Sequence, residues 1–292
     1  MTKKCLHRVA DAVQGRWILW CVWWCVVAAS VLPPAMAQER HALVIGNAAY
    51  AHVEPLRNSV NDADLIARSL GRVGFKVTLL RDATLAQMQK ATAEFGERLS
   101  RGDIAFVYFA GHGVQHAGEN YLIPVDAQIE QPEQLAARAF GIGQLFKALP
   151  ADGRSAHIIV LDACRNNPFV GRSPAYSRAL GVPSGGERAE RGVVRDEVPA
   201  GLSQLDNVPG NTLIAYATSP GKVALDGNGR NSPYAEALAS VIGDEGLEVT
   251  AVFQEATLLV KRATRFEQEP WMNWSLNDRI VLKRRKSNNV IF

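Results

Sequence analysis

Beyond residue 37 the 292-residue chain contains a single cysteine, Cys164, the other three being Cys5, Cys21 and Cys25. One thiol excludes an internal disulfide framework and a cysteine-rich metal site in that part of the chain. Charge of one sign is also lacking. Of the 32 Lys/Arg and 29 Asp/Glu, only Lys3, Lys4, Arg8, Arg16 and Asp11 lie in the first 37 positions, so the remaining 255 residues carry 28 of each and no net charge. A long-range basic field for nucleic acid is thereby excluded, and no nucleic-acid partner is expected. No glycine loop of the phosphate-cradling kind is present, because the glycines of Asp226-Gly-Asn-Gly-Arg230 read as a turn, which argues against a nucleotide binder of the doubly wound type. Internal repeats are absent.

What is present begins with an unusual N-terminus. Four basic residues within positions 1–16 precede an uncharged apolar run at 17–32, followed by Pro33-Pro34-Ala35-Met36-Ala37. This is the order of a cleavable signal peptide. The 16-residue run is shorter than the roughly 20 residues needed to cross a bilayer as a straight helix; the alternative is an uncleaved membrane anchor. Either reading predicts an exported protein, periplasmic or secreted, touching membrane only through that N-terminal helix.

From position 41 short β-branched runs alternate with helical periodicity, the signature of βαβ units around a parallel sheet buried on both faces. Strands are expected at 41–46, 75–80, 104–109, 157–161, 211–217 and 278–283, with helices over 62–73, 84–100, 141–149, 232–242 and 249–265. The fold class is α/β, a mostly parallel sheet flanked by helices. The strand at 104–109 runs into Ala110-Gly-His-Gly113, and the one at 157–161 delivers Asp162-Ala-Cys164. Both therefore place reactive side chains outside the carboxyl ends of parallel strands, where open α/β sheets bind ligands. The stretch 170–209 is rich in Gly, Pro, Ser, Arg and Glu and too long for a plain connection.

A thiol attacks a carbonyl as thiolate, so Cys164 needs a base, and neutral imidazole suits that task near neutral pH. His112 is the candidate, the flanking Gly111 and Gly113 letting the backbone turn sharply and approach a substrate closely. It precedes Cys164 by 52 residues, against the about 50 that separate the histidine from the Q-A-C-[RQG]-G box of caspases. Here that box reads Asp162-Ala-Cys-Arg-Asn166, preceded by Phe109-Ala-Gly-His-Gly113. On these motifs, together with Leu56-Arg-Asn-Ser-Val-Asn-Asp-Ala63, Ala217-Thr-Ser219 and Asn231-Ser-Pro-Tyr234, the chain resembles the caspase-like cysteine peptidases, including metacaspases and bacterial relatives.

The resemblance implies a caspase-like sandwich forming one domain over 38–283: a large-subunit-like part at 40–169, a linker at 170–209, a small-subunit-like part at 210–283, and then a basic tail at 284–292. It implies a cysteine endopeptidase with Cys164 as nucleophile, His112 as general base, and the backbone N–H groups of Gly113 and Cys164 as the oxyanion hole. The alternative is a caspase-fold binding or signalling module without turnover. Metacaspases carry Asp two residues before the cysteine and cleave after Arg or Lys, whereas caspases carry Gln and cleave after Asp. Asp162 thus implies a cationic substrate residue. Arg57 points the other way, since it lies in the segment where caspases bind the substrate aspartate. Arg172, Arg178, Arg188, Arg191 and Arg195 are candidate self-cleavage positions in the linker. Some metacaspases require calcium, and the chain has no dense Asp/Glu loop of the EF-hand kind; no metal or other cofactor is expected, while calcium dependence is left open by the sequence. The expected partner is a protein or peptide substrate. Trp271 and Trp274 are expected to be packing anchors.

Overall fold

The computed structural model describes residues 38–164, 168–169, 202, 205, 208–219, 222 and 224–285. The signal-like segment at 1–37 and the five linker arginines lie outside the described residues.

The first half alternates as its periodicity predicts. Strand β1 (Arg40–Gly46) leads to helix α1 (Ser59–Arg72), whose Ser59, Asp62, Ala63, Ile66, Ser69 and Leu70 form the buried face. Strand β2 (Lys76–Arg81) and helix α2 (Leu85–Arg98) follow. Thr84 caps α2 with a reciprocal bond to Gln87, satisfying two otherwise orphaned donors. Strand β3 (Ile104–His116) then returns through the centre, followed by β4 (Glu119–Leu122), a one-turn helix α3 (Leu135–Arg138), β5 (Phe140–Gly141) and α4 (Ile142–Ala148). The second half comprises β6 (Ala156–Cys164), β7 (Thr212–Tyr216), α5 (Pro233–Val241), α6 (Val249–Ala263) and β8 (Trp271–Trp274).

Among the described residues the main sheet runs β2-β1-β3-β6-β7-β8, with β4 and β5 branching from the far end of β3. All its neighbours are parallel except β7 and β8. The period of two along β3 divides the core. Ile104, Phe106, Tyr108 and Ala110 face a layer built by α1, α5 and α6, while Ala105, Val107 and Phe109 face α2 and α4. A rigid three-layer frame therefore holds the carboxyl ends of β1, β3, β6 and β7.

Three sequence expectations are corrected. The closing strand is β8 at Trp271–Trp274, antiparallel to β7. The apolar stretch at 278–283 makes only isolated bridges, Glu245 with Lys283 and Glu248 with Val281, and plugs Ile280 and Leu282 into the core instead. Trp271 does anchor packing, its ring 5.3 Å from that of Tyr216, but Trp274 is 50% exposed. Third, β3 does not turn at Gly111-His-Gly113; it continues to His116, and a side chain at either glycine would collide with its neighbours. A Cβ at Gly111 would lie 2.6 Å from the Tyr50 hydroxyl and 2.8 Å from the Phe109 ring, and one at Gly113 would press on Ala163 and Leu202 at 3.0 Å. Leu202 and Leu205, within the stretch at 170–209, are buried in the same core layer as α2 and α4.

Candidate active site

β3 and β6 pair in parallel from Ile104 with Ala156 through to His112 with Cys164. The two residues are thus direct cross-strand partners at the carboxyl end of the sheet, on strands about 4.8 Å apart. Fifty-two positions of sequence are brought to one step of register by the crossover between the strands. Asp162 sits one period earlier, opposite Ala110.

His112 is buried, 6% exposed, and is held by the connection from β1 to α1. Its Nε2 lies 2.8 Å from the carbonyl oxygen of Glu54. A carbonyl only accepts, so this contact places a proton on Nε2 and the lone pair of the neutral ring on Nδ1. The backbone N–H of His112 donates to the Tyr50 hydroxyl at 2.8 Å, and the rings of Tyr50 and His112 stand 4.5 Å apart. The connection carrying Tyr50 and Glu54 is itself anchored. Asp82, in the left-handed region with φ 48, accepts the N–H groups of Ala48 and Ala49 at 2.8 Å each. The buried Asn47 amide receives the Ala83 N–H at 2.9 Å and donates to the Ile123 carbonyl at 3.1 Å.

Asp162 is buried beside two further carboxylates that the sequence reading did not single out. Its Oδ2 accepts from the hydroxyls of Tyr108 at 2.8 Å and Ser232 at 2.9 Å. Asp62, on the inner face of α1, accepts at Oδ1 from the Asn231 amide at 2.8 Å and the Ser232 N–H at 2.9 Å. Ser232, the N-cap of α5, thus ties both acids to one turn. Asp226 completes the group. Its carboxylate takes the Arg57 N–H at 3.1 Å and its charge acts on Asp162.

Burial pushes Asp62 above the usual carboxylate range, and the charge of Asp162 pushes it further. Asp162 is raised as well, first by burial and also by Asp226, against the lowering effect of its two hydroxyl donors. The cause is general: charge in a poorly solvated site is costly, more so beside like charge. Such a cluster can bind a cation, which would relieve both penalties, and can repel an anion.

Arg57 does not enter this group as a counter-ion: its side chain is exposed and its backbone N–H serves Asp226. His116, four residues beyond His112 on β3 and paired with Glu119 next to the hairpin turn, stands apart from the site. Of the residues the sequence marked, the sheet brings together His112, Cys164 and Asp162. The ones it missed are Asp62, Asp226, Tyr50, Tyr108 and the Glu54 carbonyl. Asp62 lies in the segment already noted for its resemblance, but there it reads as an ordinary helix-start acid. A backbone carbonyl leaves no trace in composition at all.

The Caspase domain family model matches residues 39–281. Among curated proteins the chain is similar to mucosa-associated lymphoid tissue lymphoma translocation protein 1 of Homo sapiens and to its Mus musculus homolog, each 28% identical over 130 residues. That match takes in 44% of this chain and only 15% of the length of those relatives. Among solved structures it is similar to caspase-1 from Spodoptera frugiperda, with a TM-score of 0.57 and 16% identity over 85% of this chain and 92% of that one.

Proposed function

The chain belongs to the caspase-domain family, and from that premise we propose that it is a cysteine endopeptidase using a Cys164/His112 dyad and cleaving after Arg or Lys. The observation that carries this reading is the pairing of His112 with Cys164 in one register step, beside the buried carboxylates of Asp62 and Asp162, with the half-buried Asp226 acting on Asp162.

In this reading Nδ1 of His112 takes the Cys164 proton while the Glu54 carbonyl stabilises the imidazolium through Nε2–H. The thiolate adds to the substrate carbonyl carbon. Along β3 the N–H of His112 faces Tyr50, so by strand alternation the N–H of Gly113 faces β6 and, with that of Cys164, supports the developing oxyanion. Collapse expels the amine, which takes the proton back from His112, and leaves a thioester. Water activated by His112 then hydrolyses it and restores the thiol. The Asp62, Asp162 and Asp226 carboxylates receive the cationic side chain before the scissile bond. No residue in this scheme requires a metal ion. The signal-like order of residues 1–37 supports export of the enzyme, and self-cleavage after the linker arginines would follow from the same specificity.

The test is hydrolysis of paired fluorogenic peptides ending in Arg or in Asp by the full chain and by Cys164→Ala. Cleavage after Arg that is lost in the variant is expected. Cleavage after Asp would keep the dyad and return the specificity to Arg57. No thiol-dependent cleavage of either peptide would favour the binding module.

A further inference from the structure

We propose that Tyr50 is a positioning residue for His112, its hydroxyl standing in for a missing sheet partner where the catalytic base leaves the parallel ladder. The inference rests on the dyad reading above. It starts from one edge of β3, which two different strands share. β1 covers that edge as far as Ala110, whose register partner is Gly46 and whose carbonyl accepts the Asn47 N–H at 2.9 Å. β4 takes over from Gly113, paired with Leu122. The donor that falls between them is the N–H of His112, and it is buried. An unsatisfied donor there would carry its full desolvation penalty and would free the backbone to shift toward some other acceptor.

The Tyr50 hydroxyl fills that gap at 2.8 Å from His112 N. Its own placement is specified from three sides. The ring packs against the imidazole at 4.5 Å. Gly111 provides the room, since any Cβ there would meet the hydroxyl oxygen at 2.6 Å. The preceding Ala48 and Ala49 N–H groups are fixed on Asp82. The same connection presents the Glu54 carbonyl to Nε2 of His112. Tyr50 therefore locks together the two halves of one arrangement: the backbone that carries the imidazole and the loop that sets its tautomer. A general base must be held within fractions of an ångström of productive geometry, so loosening this lock acts on turnover more than on substrate capture.

The experiment compares the full-length wild type with Tyr50→Phe, which keeps the ring and removes only the hydroxyl that accepts from His112 N–H. It also includes Asp82→Asn, which tolerates the same left-handed backbone but weakens the hold on the loop without touching Tyr50 or His112. Two readouts are taken: kcat and KM on the Arg peptide, per active site titrated with a thiol-reactive peptide, and the pH dependence of iodoacetamide alkylation of the Cys164-containing fragment, followed by mass spectrometry. For Tyr50→Phe we expect a kcat lower by about tenfold with KM within about twofold, and an alkylation curve shifted to higher pH as the imidazole supports the thiolate less well. Asp82→Asn should move both readouts the same way by a smaller factor, about threefold in kcat. Titration removes unfolded protein from the comparison, so a Tyr50→Phe variant of lower stability but unchanged kcat and alkylation curve would overturn the proposal and leave Tyr50 with packing alone. A wild-type alkylation curve identical to that of His112→Ala would fail differently, removing the base itself and, with it, anything for Tyr50 to position.

Discussion

Replacing Asp162 by Asn removes a single buried charge and preserves shape and an acceptor oxygen for Tyr108 and Ser232. Two consequences of opposite sign follow. Hydrogen bonds to charged groups contribute about 1.5–3 kcal/mol, so loss of one carboxylate from the receiving group should lower kcat/KM on an Arg peptide by roughly 10- to 150-fold, mostly through KM. Stability should respond in the other direction. Asp62 is raised from its ordinary 3.8 to about 7, and Asp162 is also raised. The folded chain therefore holds protons that the unfolded chain releases, and the stability this confers is present at acid pH and lost as pH rises through that window. In the wild type the loss between pH 5 and pH 8 is on the order of 3–4 kcal/mol from this pair. Asp162→Asn relieves the repulsion on Asp62 and should shrink that loss.

The assay is urea unfolding at pH 5 and pH 8 for both proteins, alongside kinetics on the Arg peptide over the same range. Wild-type KM should fall as pH rises, because the receiving group must ionise to hold a cation. An Asp162→Asn variant that cleaves the Arg peptide within threefold of wild type and loses as much stability between the two pH values would refute the reasoning on both counts.

Tyr108→Phe deletes a donor that lowers the Asp162 pKa; the pH at which KM for the Arg peptide improves should move upward, and an unmoved profile would count against the cluster acting as the receiving site. His157 is 1% exposed with Nδ1 3.2 Å from Thr212 Oγ1 and Nε2 without a partner, and burial holds its pKa below the ordinary 6.5. Its folded form thus resists protonation that the unfolded form accepts, a contribution to stability lost as pH drops below 6.5 and opposed to that of the Asp62/Asp162 pair, so the urea midpoint at pH 5 relative to that at pH 7.5 should be higher in His157→Leu than in the wild type. Gly111→Ala forces a Cβ into the Tyr50 hydroxyl and the Phe109 ring; a loss of about 1–3 kcal/mol in urea unfolding accompanied by a drop in kcat is expected, and an alanine variant of unchanged stability would show that the close approach at Gly111 is not needed.

The alternation of strands and helices was legible because each element satisfies its own period: Ile66 and Leu70 recur at helical spacing, and Phe106, Tyr108 and Ala110 share one face of a strand. The register pairing of His112 with Cys164 could be anticipated because glycines bracket a histidine at the end of one apolar run and a lone cysteine ends another. Less legible was why those glycines stand there. In sequence Gly111 and Gly113 suggest a turn, whereas in the fold they are the price of bringing Tyr50, Ala163 and Leu202 against a strand that keeps going. The closing strand was misplaced for a related reason: Trp271–Trp274 is short and interrupted by Asn273 on a half-covered edge, so the contiguous aliphatic run Ile280-Val-Leu282 after it looked the better candidate. Asp62 and Asp226 stand 164 positions apart in sequence, and no local pattern ties either to Asp162. Their convergence arises when the turn before α5 docks on the start of α1, through Asn231 and Ser232.

That convergence also shows what kind of site the fold maintains. The two desolvated carboxylates of Asp62 and Asp162 oppose folding at neutral pH, and neutral residues of the same size could accept from Tyr108, Ser232 and Asn231 without the repulsion. Local consistency is therefore broken at the end of the sheet where His112 and Cys164 meet, while the apolar layers on either side follow their patterns closely. A cationic side chain entering that corner would neutralise the charge the folded state cannot solvate, so the same desolvation that weakens the empty protein strengthens the bound one. The strain is also directional. It lies with Asp62 and Asp162, whereas His112 itself is met by the neutral Tyr50 hydroxyl and Glu54 carbonyl through hydrogen bonds.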